Sequence, residues 1–299
     1  MDNLTHGLVG ALIGQAGLKR RTGLAMPALI IGANLPDVDA ACFLWLDGVQ
    51  HVGFRRGITH GPIAWVLLPL ILAGLLWGWD RWQAKRGKRP EGRLPVHFGW
   101  LYALAFIACL THPALDWLNV YGIRLLEPFS TRWFYGDVLF IIDVWLWLGL
   151  GFATWLSLRR ERRGGEWRRP ARIAIAGALV YVGTNWLITE RAETDLTQGL
   201  PAGAIAIASP QPLLFYKRET IVGDGSGLWI IDGKVRGGDL RTCNLVPAAE
   251  RDPDLRAFLF WSRAPFAEEI DGGWTIRDAR YATADRFSVP LKDGCWIAD

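Results

Sequence analysis

The sequence predicts an α-helical polytopic membrane domain followed by a small β-rich extracytoplasmic domain. Three observations carry that prediction. Apolar stretches of membrane-spanning length crowd the first two thirds of the 299 residues. Arginine- and lysine-rich loops separate them in alternation. After residue 190 the chain changes to short apolar runs broken by Pro and Gly turns. Residues 1–190 therefore read as a membrane-embedded helical domain, and 191–299 as a soluble one.

The first elements are short. Residues 4–18 and 24–35 are apolar and joined by Lys19-Arg20-Arg21. At about 1.5 Å per residue each falls short of a comfortable crossing. They read as a short helical pair, tilted or re-entrant, whose ends return to one face. Four clear transmembrane helices follow, at 62–79, 98–118, 138–158 and 171–189, against the roughly 17–25 residues a bilayer core requires. The first, PIAWVLLPLILAGLLWGW, carries no charge. Trp77, Trp79, Trp100, Trp117, Trp155 and Trp186 lie towards segment ends, where interfacial aromatic belts sit. Helices buried in a large soluble protein would show polar faces, and these do not. No cleavable signal peptide is expected, since Asp2 stands where a basic start would be.

Charge sets the topology. The formal net charge is +4. Arg81, Lys85, Arg86, Lys88, Arg89 and Arg93 fill one loop; Arg159, Arg160, Arg162, Arg163, Arg168, Arg169 and Arg172 fill another. Short basic loops stay in the cytoplasm. No nucleic-acid-reading motif accompanies them, so nucleic acid is not an expected partner; protein partners are left open. With both loops inside, His60 and the His112 end of its segment face outward, as does everything beyond 190. His97 falls on the cytoplasmic side and is set aside.

In 191–299, the runs 213–216, 228–231, 256–262 and 285–291 read as strands between turns such as Asp224-Gly225-Ser226-Gly227. Cys243 and Cys295 both fall here, and an oxidising compartment would allow them to pair. Cys42 and Cys109 read as apolar fillers.

Polar signatures interrupt the apolar part: Asp2-Asn3-Leu4-Thr5-His6, Asn34-Leu35-Pro36-Asp37-Val38-Asp39, Arg56-Gly57-Ile58-Thr59-His60 and His112-Pro113-Ala114-Leu115-Asp116. Charged groups near lipid are costly without a partner such as a cation. His112 and Asp116, four apart on a helix, share one face. Each signature also has a structural reading: an N-cap for Asp37 or Asp39, an interfacial histidine for His60, a polar helix end for His112 and Asp116. Together they offer three imidazoles and at least three carboxylates at one face. That set suits one or two Zn ions, with Mn as the other candidate, and metal-assisted hydrolysis. No G-x-S-x-G elbow, C-x-x-C pair, phosphate-binding loop or HExxH is present.

The set MDNLTHGLVGALIG, NLPDVD, RGITHG and THPALDWLNVYG resembles the YdjM-like family of bacterial inner-membrane metal-dependent hydrolases, over roughly residues 1–190. That family is in turn distantly similar to zinc-dependent phospholipase C, in which an N-terminal His, an Asp, a further His and an H-x-x-x-D pair bind metal. Carried over by position, the resemblance implies His6, Asp37 or Asp39, His60, His112 and Asp116 as ligands, with Asp116 bridging. Arg55 and Gly61 depart from the H-R-G-x-T-H-S that members often show. The second histidine-rich helix of the soluble enzymes, and with it a third metal, has no counterpart. The soluble enzymes also use a free N-terminus as ligand.

The expected function is hydrolysis of a phosphoester or related bond of a membrane lipid through a metal-activated water, at the periplasmic side of the inner membrane. Asp37 or Asp39, whichever is not a ligand, would carry protons. Asp2, His51, Asn119 and Tyr121 are expected around the site, and Asp143 as a bond to a ligand histidine. Arg55, Arg56, Arg124 and Arg132 would hold phosphate or anchor at the interface. Two rivals are a non-catalytic membrane protein with a structural metal and a partner-binding periplasmic domain, and an ion transporter.

Overall fold

The computed structural model describes residues 1–291 and Cys295. In chain order its helices are α1 (Asn3–Gln15), α2 (Ala25–Asn34), α3 (Gln50–Phe54), α4 (Pro62–Lys85), α5 (Phe98–Trp117), α6 (Val144–Arg162), α7 (Arg168–Thr197), α8 (Leu245–Arg251) and α9 (Pro253–Trp261). Its strands are β1 (Ile205–Pro210), β2 (Arg218–Gly223), β3 (Trp229–Ile231), β4 (Lys234–Arg236), β5 (Pro265–Ile270), β6 (Gly273–Asp278) and β7 (Ser288–Leu291). Two compact units result. One holds Met1–Val38 and Arg56–Asn185, the other Asp39–Arg55 and Trp186–Asp299. The excursion 39–55 thus belongs with the C-terminal unit, which a single cut near 190 does not include.

The first unit is a helical bundle. Gly10 lets α1 approach α2 closely, because a Cβ there would lie 2.4 Å from the Leu29 carbonyl oxygen. Gly32 plays the same part between α2 and α5, against Ala105. Small residues permit such backbone approach, and dispersion then holds helices together where lipid offers no hydrophobic gain. α1 and α6 run in the same direction. At one end Trp147 donates from Nε1 to Asp2, 3.1 Å; at the other Ser157 donates to Gln15 Oε1, 3.0 Å, and Lys19 pairs with Glu161.

Among the described residues, four helical segments are long and apolar enough to cross a membrane: Ala25–Leu44, Pro62–Lys85, Phe98–Trp117 and Arg168–Thr197. The fold class is therefore the expected one, but its members differ in two places. α2 does not stop at residue 35; it continues as a 3-10 helix to Leu44, and Ala25–Leu44 reaches spanning length. The stretch expected at 138–158 is not among the four; its helix starts later, at Val144. Val138 and Leu139 are buried in the preceding loop, both donating to the Leu118 carbonyl at 2.8 Å. Asp143 then caps α6, and Arg159, Arg160 and Arg162 already occupy its last turn. Lipid-facing positions are apolar, as Ile71 (58% exposed) and Leu75 (66%) on α4 illustrate. Arginines lie over the tryptophans at the basic-loop end: Arg81 over Trp77, Arg86 over Trp82, Arg21 over Trp100 and Arg159 over Trp155, at 4.5–5.2 Å.

The second unit carries two antiparallel sheets, in the orders β1-β2-β3-β4 and β5-β6-β7. Register pairs Ile207 with Ile221 and Ile221 with Ile231, so alternate residues of three strands share one face. Ile207, Ile221, Trp229 and Phe266 form its core. Cys243 and Cys295 are joined by a disulfide. Two expected strands are something else. Residues 213–216 form a turn, with Leu213 in the left-handed region at φ 66°. Residues 256–262 lie largely in helix α9. Asp252 caps it, accepting from Asp254 N (3.0 Å) and Leu255 N (3.3 Å), and Pro253 occupies the first turn. Burial of Leu255, Phe258 and Trp261 at every third position follows. The expected strand 228–231 is β3 in all but its first residue, whereas 285–291 begins as a 3-10 turn and becomes β7 only at Ser288.

Candidate metal centre

Four elements of the first unit bring their polar signatures to one place. α1 contributes His6 in its first turn, and the 3-10 continuation of α2 contributes Asp37. The turn before α4 contributes His60, and the last turns of α5 contribute His112 and Asp116. Ligating atoms of His6, Asp37 and His112 lie within 4.8 Å of one another, as do those of His60, His112 and Asp116. His112 belongs to both groups. All of these side chains are buried, Asp37 the least so at 7% accessible.

The spacing separates this cluster from an ordinary ion-pair network. His60 Nε2 and His112 Nε2 each lie 3.5 Å from Asp116 Oδ2, and His6 Nε2 lies 3.4 Å from Asp116 Oδ1. A charge-assisted N–H···O bond would close to about 2.7–2.9 Å. Two ligand atoms each bonded to one tetrahedral zinc at about 2.0–2.2 Å stand roughly 3.3–3.6 Å apart. Asp37 Oδ1, 3.8 Å from His112 Nε2, fits a wider angle. Neither nitrogen of His6, nor Nε2 of His112, has a hydrogen-bond partner among the described residues. Buried polar atoms are normally satisfied, so the donor set fits a divalent cation.

Surrounding groups orient the ligands. His112 Nδ1 lies 2.7 Å from the Ala33 carbonyl oxygen. A carbonyl only accepts, so Nδ1 bears the proton and Nε2 presents its lone pair to the cluster. Thr59 Oγ1 stands 3.0 Å from His60 Nδ1. The rings of His6 and His112 stack at 3.8 Å. The Met1 amine pairs with Asp116. Arg56 is buried in the left-handed region, φ 56°, with Nε 3.1 Å from Asp116 Oδ2. It donates to Asn119 Oδ1 (2.9 Å) and lies over Tyr121 at 4.6 Å. Such a backbone costs a non-glycine residue about 1–3 kcal/mol, and the Arg124 N–H bonding the Arg56 carbonyl at 2.9 Å helps to hold it.

Other sequence-selected residues have different roles. Asp39, alternative to Asp37 as ligand or proton carrier, belongs to the second unit and meets Arg55 Nε at 3.3 Å. Arg55 lies over Phe43. His51, also in that unit, lies 3.1 Å from the Gly48 carbonyl oxygen. Asp2 is a helix cap, accepting from Leu4 N, Thr5 N and Trp147. Asp143 was expected to bond a ligand histidine; it instead caps α6 through Leu146 N and accepts from Tyr181 at 2.9 Å. Arg124 pairs with Glu127, and Arg132 lies over Phe134. The Ala33 carbonyl and Thr59 went unread. A backbone carbonyl leaves no trace in sequence; Thr59 was visible beside His60 but had no partner assigned.

This is a multi-pass membrane protein with a buried histidine–carboxylate cluster at one end of its bundle. Residues 1–192 match the YdjM inner membrane protein family, and the chain belongs to it. It is similar to the uncharacterized protein YfhP of Bacillus subtilis (strain 168), 29% identical over 141 residues. That match takes in 44% of this chain and 39% of YfhP, so the chain spans about two fifths of that relative's length. No solved structure matches the chain.

Proposed function

We propose that this protein is a membrane-bound metal-dependent hydrolase acting on a phosphoester or related bond of a membrane lipid, in the manner of a phospholipase C. The observation that carries the reading is the convergence of His6, Asp37, His60 and Asp116 on His112 within a membrane-spanning bundle. Mixed imidazole and carboxylate donors suit Zn, with Mn as the alternative. When bound, such an ion supplies a Lewis acid and lowers the pKa of a water.

The chain's own groups do the rest. Ala33 and Thr59 hold imidazoles in place. Asp37 completes the donor set from its least enclosed side, its side chain being 7% accessible. Arg56 pairs with Asp116 and adds positive potential where a phosphate would sit. The site and the second unit face the periplasm. Support for that orientation comes from the basic loops at the opposite end and from the Cys243–Cys295 disulfide, which an oxidising compartment maintains.

Arg56 also favours a second reading. It shares Asp116 Oδ2 with whatever ion the cluster holds, as a single structural metal would tolerate. Metal analysis of purified protein beside His112→Ala and Asp116→Ala, with turnover measured on inner-membrane phospholipids, separates the readings. Metal in wild type alone, with lipid turnover lost in both variants, is expected. Bound metal without turnover would favour the structural reading, and unchanged metal in both variants would remove the site.

A further inference from the structure

Beside the cluster the bundle is not filled. α7 is lightly packed, with 11% of its most apolar stretch buried. On its inner side a cavity of about 320 Å³ runs between α1, α5, α6 and α7. Val9, Ile13, Leu115, Leu146, Leu150 and Ala178 are among the residues that line it. Its two hydroxyls are already spent, Thr5 on Asp2 (2.6 Å) and Thr111 on the Ala108 carbonyl (2.7 Å). Water needs two to four polar partners, so the walls offer it nothing. Leu179, 69% exposed, sits on the rim, so the cavity opens on the bilayer side of α7.

Position ties the cavity to the metal centre. Thr5 precedes His6; Thr111 and Leu115 precede His112 and Asp116. One residue is about 100° of helical rotation, so the apolar wall and the ligands occupy adjoining faces of α1 and α5.

We propose that this groove seats one acyl chain of a membrane lipid whose headgroup lies at the cluster. The proposal rests on the hydrolase reading for the headgroup's fate, and on the groove alone for the chain. A partner helix is a poorer occupant, since a rigid cylinder about 10 Å across fits an irregular crevice between helices less well than a flexible chain does. A hydrocarbon chain is thin, needs no hydrogen bonds and is supplied by the surrounding bilayer.

The test uses the full chain in nanodiscs of phosphatidylethanolamine and phosphatidylglycerol, with a trace of phosphatidylethanolamine bearing a mid-chain diazirine. Cross-links are mapped by mass spectrometry. Labelling of Val9, Ile13, Leu115 and Ala178 is expected to exceed that of Leu67, Ile71 and Leu75 on α4 several-fold. Ala178→Trp should abolish the excess and leave α4 labelling and metal content at wild-type levels. Ala114→Phe, filling the groove from its other wall, should do the same. Even labelling of all lipid-facing positions, or groove cross-links only to a second protein copy, would overturn the proposal. Focused labelling without lipid turnover would leave the groove standing and remove the hydrolase; turnover with even labelling would do the reverse.

Discussion

Asp116 and Asp278 are both fully buried carboxylates, one in each unit, and their surroundings could hardly differ more. Asp278 is saturated. Arg280 donates to it from N, Nε and Nη2 at 2.8–2.9 Å, Ser262 from its hydroxyl at 2.6 Å, and the Arg263 and Ala264 N–H groups at 3.1 and 3.3 Å. Asp116 has Arg56 and Met1, but three imidazole nitrogens stop 3.4–3.5 Å away. The first is a closed network that fixes the turn after β6. The second holds its partners at the separation that a shared cation imposes. Burial of a charge therefore says little by itself; the distance at which its neighbours halt distinguishes a saturated carboxylate from one whose neighbours stand off.

The comparison can be broken most decisively by metal content. Asp116→Asn and His112→Ala should lower bound zinc to background by plasma emission spectrometry, while Asp278→Asn keeps it at the wild-type level. Zinc retained in the first pair, or lost in the third, would invert the contrast.

Next in size is stability. Asp278→Ala strands Arg280 in the core, and breaking a buried pair by removing one partner costs about 3–5 kcal/mol. Hydrogen exchange of the second unit in the full chain should report that loss. Burial alone would raise the Asp278 carboxyl, but Arg280 and the Ser262 hydroxyl outweigh it and hold it below its ordinary 3.8. Its contribution is thus complete above about pH 4 and fades as the pH falls through the depressed value. Exchange protection near β6 should drop on acidification in wild type. A drop of the same size in Asp278→Asn would refute the assignment.

Smaller effects sharpen the picture of the orienting groups. Thr59→Val should weaken zinc affinity about 10–100-fold, as loss of an outer hydrogen bond to a ligand does, with the fold intact. A competition titration with a chromogenic chelator reads this directly; unchanged affinity would make Thr59 a bystander. Smallest is Asp143→Ala. Losing an N-cap costs about 1 kcal/mol, with zinc content unaltered. A change in zinc content would restore Asp143 to the metal centre.

Much of this was legible. The spans at 62–79, 98–118 and 171–189 rest on composition, which lipid imposes residue by residue. His112 and Asp116 rest on helical periodicity, which any helix obeys. The capped helix α9 was also legible in Asp252-Pro253, but the apolar run behind it looked equally like a strand, since short runs do not separate the two. Neighbouring residues of the same type were the blind spot. Asp37 and Asp39, or Arg55 and Arg56, are interchangeable by residue type, yet a unit boundary runs between the members of each pair.

The sequence by itself determined that this chain lives in a membrane and that its imidazoles and carboxylates gather at one end of a bundle. Hydrocarbon thickness and the placement of arginine act on local composition, and composition is written in order along the chain. Only the tertiary structure decided which aspartate and which arginine reach His112, that a backbone carbonyl aims its ring, and that α7 stands off from its neighbours. Those outcomes depend on ångström-scale distances between residues far apart in the chain, and close packing fixes them only once every helix is in place.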